Sequence, residues 1–132
     1  MNALKYYRIK TLSMLQEIVN TKYDREFSRT ELWSLLTFNL PIFWSWGVNI
    51  KKVVAFNNSI GNHFDTIKGL VFPVEGNHHK GYVIITLSFD DTFCITFLNK
   101  KYKEVKEIKG IYFDQLVSTI DTFVEKIPDY AF

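Results

Sequence analysis

"GYVIITLSFDDTFCITFLNKKYKEVKEIK", residues 81–109, decides the fold. Its apolar residues recur with a period of two. Val83, Ile85, Leu87 and Phe89 line one face of a strand; Tyr82, Ile84, Thr86 and Ser88 line the other. "TFCITFL" repeats the pattern with Phe93, Ile95 and Phe97. A two-residue loop at Asp90-Asp91 would set Phe89 opposite Thr92 and mate apolar faces with polar ones. A three-residue loop over Asp90 to Thr92 pairs Phe89 with Phe93 and Leu87 with Ile95. A one-residue slip flips every side chain, so the odd loop is favoured. "NKK" reads as a second turn. "YKEVKEIK" reads as a charged outer strand, whose alternating Lys and Glu guard against edge-to-edge pairing.

Working outward, the period changes to that of a helix on both sides. Leu12, Leu15, Ile18 and Val19 form a stripe at steps of three and four, extended by Leu4 and Tyr7, which predicts a helix over 2–20. "SRTE" places Ser28 and Glu31 at capping-box spacing before a short helix carrying Leu32, Trp33, Leu35 and Leu36. Pro41 is expected to end that helix. "VVAFNN" and "GLVFPVEG" read as strands. Leu70, Phe72 and Val74 share one face, and Pro73 marks an edge, a bulge or a solvent-facing position. Phe113, Leu116, Val117, Ile120, Phe123, Val124 and Ile127 follow helical spacing up to Pro128. The expectation is a single α+β domain over 1–132. Its antiparallel sheet has four to five strands, with two N-terminal helices and one C-terminal helix packed mainly on one face.

All three tryptophans fall near "NLPIFWSWGVNIKK", residues 39–52. Strand-like alternation would put Trp44 and Trp46 on one face and Phe43 on the other. Core or sheet-face packing is the favoured reading, and an exposed pair would mark a partner surface or a stacking platform.

Of the 132 residues, 47% are hydrophobic and 23% charged, a balance that excludes a disordered chain. Sixteen basic and 14 acidic groups leave a net charge of +2, too small on its own to require a nucleic-acid partner. Cys94 is the only cysteine, so no intrachain disulfide forms and a reducing compartment is expected. No run approaches the roughly 18 apolar residues of a membrane span. A soluble cytoplasmic protein is predicted.

Candidate chemistry is sparse. His63, Asp65, His78 and His79 contain metal-ligating groups, but no anchored pair converges, and "GNHHKG" reads first as a solvated turn. Asp90-Asp91 reads as a hairpin tip, and Cys94 as a packed small residue in a strand. No nucleophile elbow or phosphate loop occurs, and no cofactor is expected. The basic residues have more order. Lys51 and Lys52 precede a strand, Lys80 lies in a loop, and Lys100, Lys101 and Lys103 cluster at a turn. These would form a phosphate-binding rim if the turns share one end of the sheet, although Glu104 and Glu107 interrupt the run.

"VEGNHHKGYVIITLSFDDTFCITFLNKKYKEVKEIKGIYFDQLVSTID", residues 74–121, resembles a pattern in small uncharacterised proteins of bacterial mobile elements, particularly of Bacteroidetes. The shared features are Lys80-Gly81 before the strand, an acidic turn at Asp90, and Tyr112 and Asp114 before a helix. The resemblance implies a plasmid, phage or conjugative-element setting and no particular activity. Three function classes follow. One is a non-enzymatic nucleic-acid-associated accessory protein using Lys51, Lys52, Lys100, Lys101 and Lys103. The second is a protein-binding module, an inhibitor or homo-oligomer subunit, using Phe43, Trp44 and Trp46 or the edge near Pro73. The third is a metal-dependent enzyme at His63, Asp65, His78 and His79. A weak homodimer is expected if one sheet face stays uncovered, with Tyr82, Ile84, Trp44 and Trp46 as the self-complementary patch.

Overall fold

Alternating strands joined by tight turns give the central feature of the computed structural model, which describes residues 3–57 and 65–125. In chain order the elements are α1 (Ala3–Lys22), β1 (Phe27–Ser28), α2 (Arg29–Thr37), α3 (Leu40–Ser45), β2 (Val54–Phe56), β3 (Thr66–Ile67), β4 (Gly69–Glu75), β5 (Lys80–Leu87), β6 (Phe93–Asn99), β7 (Glu104–Ile111) and α4 (Leu116–Val124). Short 3-10 turns at Ile50–Lys52 and Phe113–Gln115 introduce β2 and α4. The sheet runs β2-β4-β5-β6-β7, antiparallel throughout, and β1 pairs with β3 as a separate ribbon. The chain is α+β, as its periodicity predicts.

Each sheet face has its own core. Leu70, Phe72, Val74, Val83, Ile85, Phe93, Ile95 and Phe97 meet Leu32 and Leu36 of α2, Phe43 of α3 and its C-cap residue Trp46, and Leu116, Ile120 and Val124 of α4. On the reverse face, Val71, Ile84 and Leu98 lie beneath Leu15 and Val19 of α1. Three helices thus share one face, and α1 shields the other. Thr86, Cys94 and Thr96 are also buried, and desolvation raises the Cys94 pKa. The thiol is therefore a packed group rather than an exposed nucleophile.

The β5–β6 turn has the expected odd parity in a register shifted by two. Leu87 faces Phe93 and Ile85 faces Ile95. Ser88 N–H donates to the Thr92 carbonyl at 2.9 Å and Asp91 N–H to the Ser88 carbonyl at 3.1 Å, so the loop is Phe89, Asp90 and Asp91. Asp91 takes φ 65°, the left-handed position that closes a three-residue hairpin loop. The Asp90 carboxylate accepts from the Thr92 backbone and hydroxyl, drawing Thr92 out of the loop. Phe89 is consequently 75% exposed instead of facing Phe93. Parity follows from matching the faces, but these local hydrogen bonds choose between registers of equal parity.

Pro41 also departs from expectation. Helix α2 ends at Thr37, and the proline lies in the first turn of α3, where its missing N–H has no helical partner to lose. Asn39 caps α3, its Oδ1 accepting from Ile42 N–H at 3.4 Å. The spacing at 43–46 is therefore helical. Phe43 and Trp46 are 1% and 0% exposed on one side, while Trp44 is 49% exposed on the other. This corrects the alternation reading, which placed Trp44 with Trp46.

Candidate functional site

The antiparallel order brings three separate chain segments to one end of the sheet. β4 ends and β5 begins there, the β6–β7 turn closes there, and the turn at Ile50–Lys52 enters β2 alongside. Lys51, Lys52, Lys80, Lys100, Lys101 and Lys103 accordingly share that end, and all are exposed. Glu75 lies opposite Lys80, and its Oε1 is 3.6 Å from Lys100 Nζ. Such an exposed pair contributes little to stability.

Asn99 organises the β6–β7 turn. Its Oδ1 accepts from Lys101 N–H at 2.8 Å and Lys103 N–H at 3.1 Å, while its own N–H donates to the Lys103 carbonyl. Tyr102 takes φ 65° at the position equivalent to Asp91 in the other hairpin. Its ring stacks on Tyr82 at 4.9 Å, and the two hydroxyls are 3.1 Å apart. Burial, together with Tyr102, pushes the Tyr82 pKa up to about 12. Lys100, Lys101 and Lys103 thus project from an anchored turn.

Glu104 and Glu107, which interrupt the lysines in sequence, are engaged by Lys22 at the end of α1. Its Nζ is 2.7 Å from Glu104 Oε1 and also pairs with Glu107. Burial opposes the Lys22 charge, but the two glutamates outweigh it and raise the pKa; the Lys22 hydrogen bond lowers that of Glu107. Lys22 contacts both carboxylates and offsets one of their two negative charges. A lysine in the last turn of a helix carries no sequence signal for such a role, because its partners lie more than 80 residues away, Glu107 being 85 positions on.

The aromatic segment contributes less than expected. With Phe43 and Trp46 in the core, only Trp44 of the proposed partner surface is accessible. The self-complementary patch contracts in the same way, since Ile84 and Trp46 are 0% exposed and α1 covers the sheet face expected to be open. The edge near Pro73 is covered too. Glu75 N–H donates to the Trp46 carbonyl at 2.7 Å. Pro73 shares parity with Glu75, so its missing N–H lies on that same outer side, where β2 no longer pairs.

The metal candidates are dispersed. His63 lies outside the described residues. Asp65 is at the start of β3, while His78 and His79 follow β4, about 20 Å away along seven residues of strand. His79 packs against Phe97 and Phe123, and burial lowers its pKa; His78 is exposed. Among the described residues, no group of three or more His, Cys, Asp or Glu could hold a metal ion.

Asp65 instead caps α2 from a distance. Its Oδ2 accepts from Thr30 N–H at 2.7 Å and from the Ser28 hydroxyl at 2.9 Å, and Arg29 Nε lies 3.3 Å from Oδ1. Ser28 Oγ also accepts from Glu31 N–H at 3.2 Å, the half of the capping box that forms. Hydrogen bonds from Thr30 lead in lowering the Asp65 pKa from 3.8 to about 2. The carboxylate therefore stabilises the fold above pH 3.8, and this contribution is lost as pH falls through that value toward 2. Asp65→Asn should lower the urea midpoint at pH 6, with the deficit disappearing near pH 2. A deficit unchanged at pH 2 would exclude the charged cap.

No helix among the described residues is long and apolar enough to cross a membrane. Comparisons with protein-family models, characterised proteins and solved structures find no match to this chain.

Proposed function

We propose that the protein is a non-enzymatic binding protein whose lysine end engages the phosphates of a nucleic acid, in the mobile-element setting suggested by residues 74–121. The supporting observation is the convergence of Lys51, Lys52, Lys80, Lys100, Lys101 and Lys103 on one end of the sheet. Lys22 engages the nearby acidic groups of β7 from the reverse face. Short lysine-bearing turns suit phosphate positioning more than base readout. Fluorescence anisotropy with labelled single- and double-stranded DNA tests this reading. With about four phosphates contacted, duplex affinity should fall on the order of 100-fold between 50 and 200 mM salt. The double substitution Lys100→Glu, Lys101→Glu should weaken binding strongly while leaving the fold intact. Binding that is absent at low salt, or insensitive to salt, would reject the proposal.

A protein-binding role is the second reading, favoured by one feature. Phe38 is 92% exposed beside the half-exposed Leu40 and Trp44, a cluster at the α2–α3 corner. If two copies meet there, Trp44→Glu should convert a sedimenting dimer into a folded monomer. A wild type that remains monomeric at high concentration would remove the homodimer from this reading.

A further inference from the structure

The opposite end of the sheet has a different character. An open groove of about 510 Å³ lies beside α2, lined mainly by Phe27, Leu32, Leu35, Phe93 and Phe113, with Glu31 at its margin. This volume falls within the range of about 300–1,000 Å³ typical of ligand sites. Phe113 is 65% exposed, yet its position is constrained. It begins the 3-10 turn after β7, where Gln115 Oε1 accepts from Tyr112 N–H at 3.3 Å. Tyr112 and Phe89 are also exposed at this end. An aromatic ring presented by an ordered turn beside an apolar groove is characteristic of a docking surface.

Among the described residues, the charged side chain that lines the groove is acidic. Glu31 lines it, Asp114 follows Phe113, and Asp90 lies in the neighbouring hairpin loop. The nearby arginines are already paired, Arg25 with Asp91 and Arg29 with Asp65. Among the described residues, no lysine, arginine or histidine lines the groove. An occupant should therefore carry apolar side chains flanked by positive charge.

We propose that this groove docks a cationic amphipathic peptide segment of a partner protein. Its apolar side chains pack between α2 and Phe113, and its Lys or Arg residues face Glu31 and Asp114. The site is at the end remote from the lysine rim, so it does not depend on nucleic-acid binding. Both ends can be occupied at once.

The test is an amide NMR titration of the full chain with a synthetic 14-residue Lys/Leu amphipathic peptide and its Glu/Leu counterpart. The Lys/Leu peptide should shift the amides of Phe27, Leu32, Leu35, Phe93 and Phe113. The Glu/Leu peptide should bind this groove at least tenfold more weakly. Combined Glu31→Lys and Asp114→Lys should reduce Lys/Leu affinity at least tenfold, with the dispersed amide spectrum retained. Equal affinity for both peptides at the groove would overturn the proposal, as would shifts confined to the lysine end or no saturable binding. Self-association through Phe113, detected as concentration-dependent shifts without peptide, would assign the groove to a second copy and overturn it equally. The comparison of peptides on the wild type decides the question even if the double variant fails to fold.

Discussion

Replacing Trp46 with alanine should destabilise the protein by about 3–5 kcal/mol, the range for removing a large buried aromatic. The indole is fully buried, stacks near Phe72 with centroids 6.3 Å apart, packs on Phe43, and donates from Nε1 to Asp121 Oδ1 at 3.0 Å. From the C-cap of α3 it therefore joins three elements: α3 through Phe43, β4 through Phe72 and α4 through Asp121. Trp46→Phe retains much of the packing and loses the hydrogen bond, so a smaller cost of about 1–2 kcal/mol is expected. Trp44→Ala, two residues away on the exposed side, should change stability by no more than about 1 kcal/mol. Urea unfolding of the three variants provides the measurement. Equal effects at Trp44 and Trp46 would contradict the helical reading of this segment.

Gly81→Ala should be at least as damaging. Gly81 faces Asn99 at the start of the β5–β6 ladder, and a Cβ there would lie 2.0 Å from the Leu98 carbonyl oxygen and 3.0 Å from Asn99 Cα. Both obstacles are backbone in a central strand, so neither can swing aside as a flexible side chain would. Either the strands separate locally or the register fails. A loss exceeding about 3 kcal/mol is expected, of the magnitude associated with overpacking and backbone disruption. Gly110→Ala is a useful contrast. Among the described residues, a Cβ at Gly110 meets nothing within 4 Å, which leaves the cost of its φ of 72°. Thermal melts that show Gly81→Ala to be the milder change would place the β5–β6 contact incorrectly.

The two glycines also show what a sequence can and cannot disclose. Lys80-Gly81 is visible as a strand entrance, but the reason for the glycine is a carbonyl 17 positions away. The same division applies to the rim. That Lys100, Lys101 and Lys103 occupy a turn is apparent from "NKK" between two alternating runs. That they share an end with Lys51 and Lys52 depends on β2 pairing with β4. The pairing of Glu104 and Glu107 depends on α1 crossing the reverse face. Asp65 resembles a ligand beside His63 in sequence, yet its neighbours in space are Ser28, Arg29 and Thr30.

By itself the sequence determined the local repeats: alternating strands over 80–87 and 93–99, the odd parity of their loop, the charged outer strand and the apolar stripe of α4. These follow from side-chain geometry at successive residues, which requires no distant partner. Tertiary structure alone decided which of Phe43, Trp44 and Trp46 are buried, that α1 covers the reverse sheet face, and which residues surround the groove by Phe113. Burial belongs to a pair of packed surfaces, and the second surface is supplied by chain far away in sequence.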